Sequence, residues 1–479
     1  MRLFIGLFTA LIVGTTTQAQ QKSDWGLQDC IQYALSHNIS IKQDSLNATA
    51  AKLTLRQSEY SQIPSVNVSG NYGKSFGRSI NPATNQFVEG NYDYVSMSGS
   101  ANALLFSGLQ VRNNIQKNRY ALKASMADLD QLKSDVSVNV ANAYLAALLA
   151  REQVKIAKNQ ISLSNVQLIQ TQAFADAGRL PELNVAQLQS QVASDSSNYI
   201  SAIANYNAAL LDLKSLLNID FSQPFDIESP GIEPGDAVNT ISGINAEDIF
   251  NHALQNFGSV KGANYRVLSA QKGLTAAKGG LSPQLSLGYQ FGTNYSGNYQ
   301  TYTYRTDAQY YQINGVRDSL NHINEFYYSP ISIPVASQMK FNDQFNNNLR
   351  HSLYLNLNIP IFNSWQTNYQ IKQARVSLQS QELAKQNTEL TLRQNVYKAY
   401  NNALSAVQKY NAAKRAEEAA KRALEFAKKR YDLGLTTTVD LLVTQNSMFS
   451  ASSNLIIAKY DLIFKLKVID YYSGKELKL

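Results

Sequence analysis

The sequence predicts a mixed α+β membrane protein built as two tandem copies of one unit. Three observations predict it. An export leader opens the chain, and no later segment is apolar enough to serve as a membrane helix. Two long stretches of the first half realign without gaps on the second half. In each copy, a pair of alternating apolar/polar segments precedes a helical pattern far longer than globular domains use.

The composition is wet but weakly charged. Of 479 residues, 44% are hydrophobic and only 16% charged, against about a quarter in ordinary soluble domains. Asn, Gln, Ser and Tyr take the place of the missing charge. Lys plus Arg number 43 against 35 Asp plus Glu, a net charge of +8, and a basic chain raises nucleic-acid binding as a hypothesis. The bases are interleaved with acids instead: Glu417, Glu418 and Glu425 stand four residues before Lys421, Arg422 and Lys429. That spacing makes a solvated helix face, and no nucleic-acid partner is expected. The single cysteine, Cys30, allows no intrachain disulfide and no Cys-based metal site. His37, His252, His322 and His351 are far apart in sequence. Without a nucleophile elbow, phosphate loop or carboxylate pair, no catalytic, cofactor or metal site is expected.

The leader has the three parts of a secretory signal. Arg2 precedes an apolar run from Leu3 to Val13, and small residues lead to Thr17-Gln18-Ala19. Residues 1–19 therefore read as a signal peptide.

Residues 27–64 align with 246–283, bringing Ala34 onto Ala253, Leu55 onto Leu274 and Pro64 onto Pro283. Residues 105–218 align with 361–474, bringing Phe106 onto Phe362, Tyr144 onto Tyr400 and Gly178 onto Gly434. The first repeat is thus 20–218 and the second 246–479. The second carries an insertion over about 292–348, rich in Tyr and Asn, for which a polar loop and an ordered cap are both open. Between the copies, 219–245 contains Pro224, Pro230, Pro234, Gly231 and Gly235 and reads as an irregular connection.

Each copy opens with a helical stretch of roughly 35 residues that ends at a proline. Alternation follows. Val66, Val68 and Tyr72 share one face, as do Val95, Met97, Ala101, Ala103 and Leu105. In the second copy Leu285, Leu287, Tyr289 and Phe291 form one row, and Leu353, Leu355, Leu357, Ile359 and Ile361 another. A soluble sheet on a core gives the same pattern. Strands of about ten residues also suit a tilted membrane crossing, and the export leader favours that reading. Val66, Val68, Val95, Met97, Leu285, Leu287, Leu353, Leu355 and Leu357 are then the lipid-facing positions. Four strands cannot close a barrel, since about eight is the minimum, so several chains must contribute.

Long helices come next, from Phe106 to Gly178 and from Phe362 to Gly434, with no proline inside either. Each could reach roughly 100 Å at about 1.5 Å per residue. Val136, Val140, Ala143, Tyr144, Ala147 and Leu148 form a narrow, Ala-rich stripe suited to close helix packing. Both helices end at a glycine turn, Ala177-Gly178-Arg179-Leu180-Pro181 and Leu433-Gly434-Leu435-Thr436-Thr437, and a return helix of about 35 residues follows.

With these features in view, the chain resembles the TolC-like outer-membrane efflux family. The stretch from Tyr431 to Gly474 carries the resemblance, with its glycine turn, Asp440-Leu441-Leu442 and closing Tyr-Tyr-Ser-Gly. So do the joints Leu105-Phe106-Ser107-Gly108 and Pro360-Ile361-Phe362-Asn363, and the opening GLQDCIQYALSHN. The resemblance implies a homotrimer in which each chain gives four strands to one twelve-stranded outer-membrane β-barrel, continued by a periplasmic α-helical coiled-coil barrel. It implies an exit duct for tripartite efflux or type I secretion, without catalysis, in contact with outer-membrane lipid. Its partners would be a periplasmic adaptor (membrane fusion protein) and an inner-membrane pump. A coiled-coil envelope protein without a pore is the alternative. The resemblance also places the adaptor contact at Gly178, Arg179 and Leu180 and at Gly434, Leu435 and Thr436. It makes Asp440 a periplasmic gate residue, for which helix capping is the competing role. Of two acidic gate positions in the family only Asp440 matches, because Val443 stands at the second.

Overall fold

A computed structural model describes residues 24–80, 87–228, 243, 245–317 and 324–475. The signal-peptide reading of 1–19 and most of the connection at 229–242 lie outside them. The described residues divide between two compact units: the parts of 1–53, 119–269 and 379–479 form a helical unit, and 54–118 with 270–378 a sheet unit.

The helical unit shows the repetition directly. Helices α3 (Gln110–Asp176) and α8 (Gln366–Asp432) are each 67 residues long. Their return helices, α4 (Glu182–Leu217) and α9 (Thr438–Tyr472), have 36 and 35 residues. The opening helical stretch is not continuous, which corrects the sequence reading. It is two helices in each copy: α1 (Leu27–His37) and α2 (Ile39–Tyr60), then α5 (Ala246–Asn256) and α6 (Gly258–Gly279). The breaks fall at the equivalent residues Asn38 and Phe257, both in extended backbone, but their chemistry differs. Asn38 caps α2 itself, its Oδ1 accepting from the Ser40 N–H at 2.9 Å, and its Nδ2 donates to the Leu216 carbonyl. Phe257 has no such oxygen, and Gln131 of α3 accepts from the Ser259 N–H instead, at 3.1 Å. Phe257 packs against Tyr471 and Tyr472 at the end of α9.

Two apolar clusters sit at matching positions. In one, Cys30, Ile31 and Ala34 of α1 meet Val140, Tyr144 and Leu148 of α3 and Leu213 of α4. In the other, Ile249, Phe250 and Ala253 of α5 meet Leu392, Val396 and Ala403 of α8 and Ile469 of α9. Cys30 is fully buried where the second copy has Ile249, so it acts as a small apolar core residue. A two-residue pair of parallel strands, β1 (Asp24–Trp25) and β6 (Asp226–Ile227), closes over the first cluster. The connection is therefore not wholly irregular, as the sequence had suggested.

In the sheet unit, β2 (Ser65–Ser75), β5 (Tyr92–Ser107), β7 (Gln284–Ser296) and β10 (Arg350–Asn358) form one antiparallel sheet in the order β10-β7-β5-β2. A small hairpin of β3 (Arg78–Ile80) and β4 (Phe87–Glu89) belongs to the β2–β5 connection. A bulge interrupts β5 between Leu104 and Phe106. Phe106, not Leu105, therefore pairs with Leu285 and joins the apolar row. The insertion is not a free loop. Its first residues extend β7, and β8 (Gln300–Arg317) and β9 (Asn324–Gln338) form a long hairpin. Helix α7 (Phe341–Asn347) fastens the base of that hairpin. The buried Gln344 accepts from the Ser296 N–H at 3.0 Å and donates to the Ser296 and Met339 carbonyls.

Tyr144 ties the first cluster to the strand pair. Its buried hydroxyl lies 3.1 Å from the carbonyl oxygens of both Trp25 and Glu228. Burial raises its pKa far above the ordinary phenol value, so the donor proton is retained. Tyr144→Phe leaves those acceptors short of a donor and is expected to cost about 1–3 kcal/mol. A lowered midpoint in thermal unfolding of the purified protein checks this, with a smaller loss expected for the half-buried Tyr400→Phe.

Candidate functional sites: the helical turns and the sheet faces

Both glycine turns are built by the same backbone bonds. The Gly178 N–H donates to the Ala175 carbonyl and the Arg179 N–H to the Phe174 carbonyl, each at 2.8 Å. Gly434 and Leu435 donate likewise to Tyr431 and Arg430, at 2.9 and 2.8 Å. This double bond pattern satisfies the last carbonyls of a helix and needs a left-handed residue between them. Gly178 and Gly434 supply it, with φ of 71° and 70°, a conformation that costs other residues about 1 kcal/mol or more.

The remaining turn residues are not equally free. The Arg179 guanidinium lies 4.7 Å from the Phe174 ring centre. Leu180 is half-buried against Leu424, Tyr431 and Leu441. It packs between the two hairpins. Leu433, Leu435, Val439 and Val443 are exposed. Thr436 is half-buried and donates to Asp440 Oδ2 at 3.3 Å.

Asp440 sits in a reciprocal cap at the start of α9. The Thr437 hydroxyl accepts from the Asp440 N–H at 3.1 Å and donates to Asp440 Oδ2 at 2.7 Å. The Thr437 N–H also points at that oxygen, at 3.4 Å. This is a capping box with the acid at its third helical position. The Thr437 side chain, then the Thr437 backbone, with Thr436 and the nearby Arg430 charge, hold the Asp440 carboxyl below the usual range.

Residues not singled out by the sequence join the hairpins above the turns. Thr171 Oγ1 and the Tyr431 hydroxyl are 2.8 Å apart, and Tyr431 also reaches Thr438 Oγ1 at 3.3 Å. Gln170 donates to Asp432 at 3.0 Å. Deeper, the buried Asp195 accepts from Ser164 at 2.5 Å and from Gln191 at 2.8 Å, and Gln445 donates to Ser164 at 3.0 Å. Gln160, Ser164, Gln167 and Thr171 recur at four- and three-residue steps along α3. That is the spacing of a helix seam, so periodicity carried the signal, but it was written in amides and hydroxyls where an apolar stripe is usual.

The sheet separates its two faces by register. Val66, Ala101, Tyr289 and Leu353 lie across from one another, as do Ala103, Leu287 and Leu355. Val68, Val95, Met97, Leu285 and Leu357 belong to the same face by two-residue alternation. Ser69, Ser98, Asn71, Ser96, Ser286 and Asn356 lie on the other. Val66, Val68, Met97, Leu353, Leu355 and Leu357 are exposed in the single chain, while Val95, Leu285 and Leu287 are half-covered by neighbouring strands. Among the described residues, no helix is long and apolar enough to cross a membrane. Nor does any group of three or more His, Cys, Asp or Glu lie together to hold a metal ion.

Comparison with known proteins agrees with this architecture. A family model described as outer membrane efflux protein matches residues 30–218 and 249–467. Over 202 residues the chain is 25% identical to a pyoverdine export outer membrane protein, OpmQ, of Pseudomonas putida. That match spans 40% of this chain and 39% of the relative's own length. Among solved structures, the outer membrane protein VceC of Vibrio cholerae superposes with a TM-score of 0.72 at 16% identity, over 94% of this chain and 96% of that one. The CmeC outer membrane channel of Campylobacter jejuni gives 0.71 at 18% identity, over 94% and 85%. At these identities the structures speak for the fold alone.

The geometry of Asp440 generates a pH expectation. A carboxyl pKa lowered by folding contributes stability that is complete above the ordinary carboxylate range and is lost as pH falls through the lowered value. The turn between α8 and α9 should therefore loosen on acidification below about pH 4. Amide-exchange protection at Thr438–Asp440 measures it. Asp440→Asn is expected to flatten that acid-side dependence, and an unchanged profile would remove Asp440 from the cap.

Proposed function

Since this chain belongs to the outer membrane efflux protein family, we propose that it is the homotrimeric exit duct of an export system, passing solutes from an inner-membrane pump to the outside. Three copies each contribute four strands to one twelve-stranded barrel in the outer membrane. Their helices form a periplasmic conduit, and a periplasmic adaptor joins its turns to the pump. The pump supplies the energy, and the duct does no chemistry.

One observation carries this reading. The four-stranded sheet has one continuous apolar face, one polar face and two open edges. An apolar face outward suits lipid, a polar face inward suits a wet lumen, and open edges are not tolerated in a bilayer. Closure by identical copies around an axis removes the edges. The exposed Leu433, Leu435 and Val439 beside the glycine turn support a docking role for that end. Purified protein in detergent should have the mass of a trimer and conduct in planar bilayers. A stable conducting monomer, or a trimer that does not conduct, would overturn the duct.

At the turns, three Asp440 carboxylates are proposed to ring the periplasmic entrance. A ring of like charge attracts cations and slows anions. Asp440→Asn is expected to raise single-channel conductance or weaken cation selectivity, with trimer mass unchanged. A mutant that conducts and selects like the parent would leave Asp440 as a cap only.

Both strand pairs start from helices and return to helices, so both hairpin ends are proposed to face the cell exterior, as long loops of such barrels do. Protease added to intact cells should then cut within β8–β9 and spare the helices. Cutting only after lysis contradicts that placement.

A further inference from the structure

The two copies in one chain contain the template for their own contact with a neighbouring molecule. The β2–β5 hairpin places Ser65 opposite Asn102, and the β7–β10 hairpin places Gln284 opposite Asn358. Those residues become equivalent when the two repeat alignments are extended by one and by three residues, so the hairpins share one register. Between them the chain also shows how the second strand of one copy meets the first strand of the next. In the β5–β7 pair, Ala101 lies opposite Tyr289, Leu104 opposite Ser286 and, past the bulge at Leu105, Phe106 opposite Leu285.

Among the described residues, the same second strand of the second copy, β10, has no partner on its far side, and neither does β2. The consequence is visible at its end. β5 continues to Ser107, held by its pairing with Gln284. β10 stops at Asn358, short of the equivalent Asn363. Ile361 and Phe362 are 94% and 84% exposed, where their counterparts Leu105 and Phe106 are 54% and 48%. Yet the joint that follows has the same backbone in both copies. Gly108 and Leu109 take φ of 59° and 62°, and Ser364 and Trp365 take 53° and 65°. The turn into the long helix is thus already set for a strand that lacks only its neighbour.

We propose that β10 of one copy pairs with β2 of the next copy in the register that β5 and β7 adopt within the chain, and that Ile361 forms the same bulge there. Leu357 then lies opposite Gly70, Asn356 opposite Asn71 and Leu355 opposite Tyr72, all in the next copy, and past the bulge Phe362 meets Val66. The match is physical as well as formal. Each of these pairs puts like faces together, and a slip of one residue would set Leu357 and Leu355 against the polar row. Gly70 has open space where a Cβ would stand, which leaves room for Leu357. A comparable large-on-small pair exists inside the chain, where the Phe291 ring covers Gly99. Pro360, with no N–H to give, falls beside the bulge, where the ladder is interrupted in any case.

This inference rests on the trimeric duct proposed above, and cysteine pairs separate the two. In the full chain, with the buried Cys30 retained, Asn356→Cys with Asn71→Cys lies on the polar face and should convert by mild oxidation mostly to covalent trimer. Asn356→Cys with Ser69→Cys, or with Gly73→Cys, is displaced by two residues, and only a minor fraction should cross-link. For the bulge, Phe362→Cys with Val66→Cys should cross-link and Ile361→Cys with Val66→Cys should not. If the first pair prevents assembly, Asn358→Cys with Ser69→Cys tests the same register. Trimers of correct mass that cross-link best in a displaced pair, or in none, overturn the register and leave the duct standing. Unmutated protein that is not trimeric overturns the duct itself.

Discussion

Rows of backbone N–H and C=O groups on two open strand edges are the constraint on which the rest of this molecule depends. In water such edges are a liability, and in hydrocarbon each unpaired group costs several kcal/mol. The chain cannot satisfy them by curling up, because four strands are too few to close. In the trimer proposed above, both edges are presented to copies of the chain. The tandem repeat makes this possible. One type of strand contact, made once within the chain, can be made again between chains.

The helical unit follows from the same requirement. Helices α3 and α8 are equal in length, so the paired hairpins end together. Ala-rich seams suit helices that run side by side over many turns, and the two larger apolar clusters are confined to the region where α1 and α5 lie across the long helices. Nearer the glycine turns Gln, Ser, Thr and Asp join Leu188, Leu424 and Leu441 in the buried layer. A seam of this kind gives up hydrophobic stabilisation and gains directional bonds, which fix register more than they add stability. Packed leucines have no comparable preference for one axial position.

Much of this was legible in the residues. Equal spans from Phe106 to Gly178 and from Phe362 to Gly434 announced equal helices, and alternation placed all four strands of the main sheet. Three features were not legible, each for a definite reason. The bulge falls in Leu104-Leu105-Phe106, an apolar run in which alternation has no phase to lose. The break at Phe257 carries no proline and Phe257 has no capping oxygen; Gly258 follows it, but the cap comes from Gln131, far away in sequence. In the hairpin of the insertion alternation is confined to short runs, such as Ile331, Ile333 and Val335, and its seat depends on side chains that meet only in the fold, Gln344 and Asn348 among them. At the candidate gate, glycine and the Thr-x-x-Asp spacing located the turn. Whether Leu180 faced solvent or its neighbour hairpin was a matter of tertiary packing.

The divergence between the copies shows where symmetry is required and where it is not. Positions that set strand register and helix length are held equal: Ser65 with Gln284, Asn102 with Asn358, and Gly178 with Gly434. Positions that merely satisfy a local need are free to differ. Asn38 and Phe257 break the same helix by opposite means, one with its own side chain and one with a borrowed amide. Asn218 and Gly474 both take the left-handed position after the return helix, one as an asparagine and one as a glycine. The largest difference, the β8–β9 hairpin, hangs from the end of β7; below it the β7–β10 register is continuous and the β5–β7 register is broken only at the Leu105 bulge. An insertion at that point adds surface without changing the number, tilt or pairing of strands. It can therefore elongate in one copy alone, whereas an added residue within any of the four strands would have to be matched beside it or absorbed as a bulge, as Leu105 is in β5.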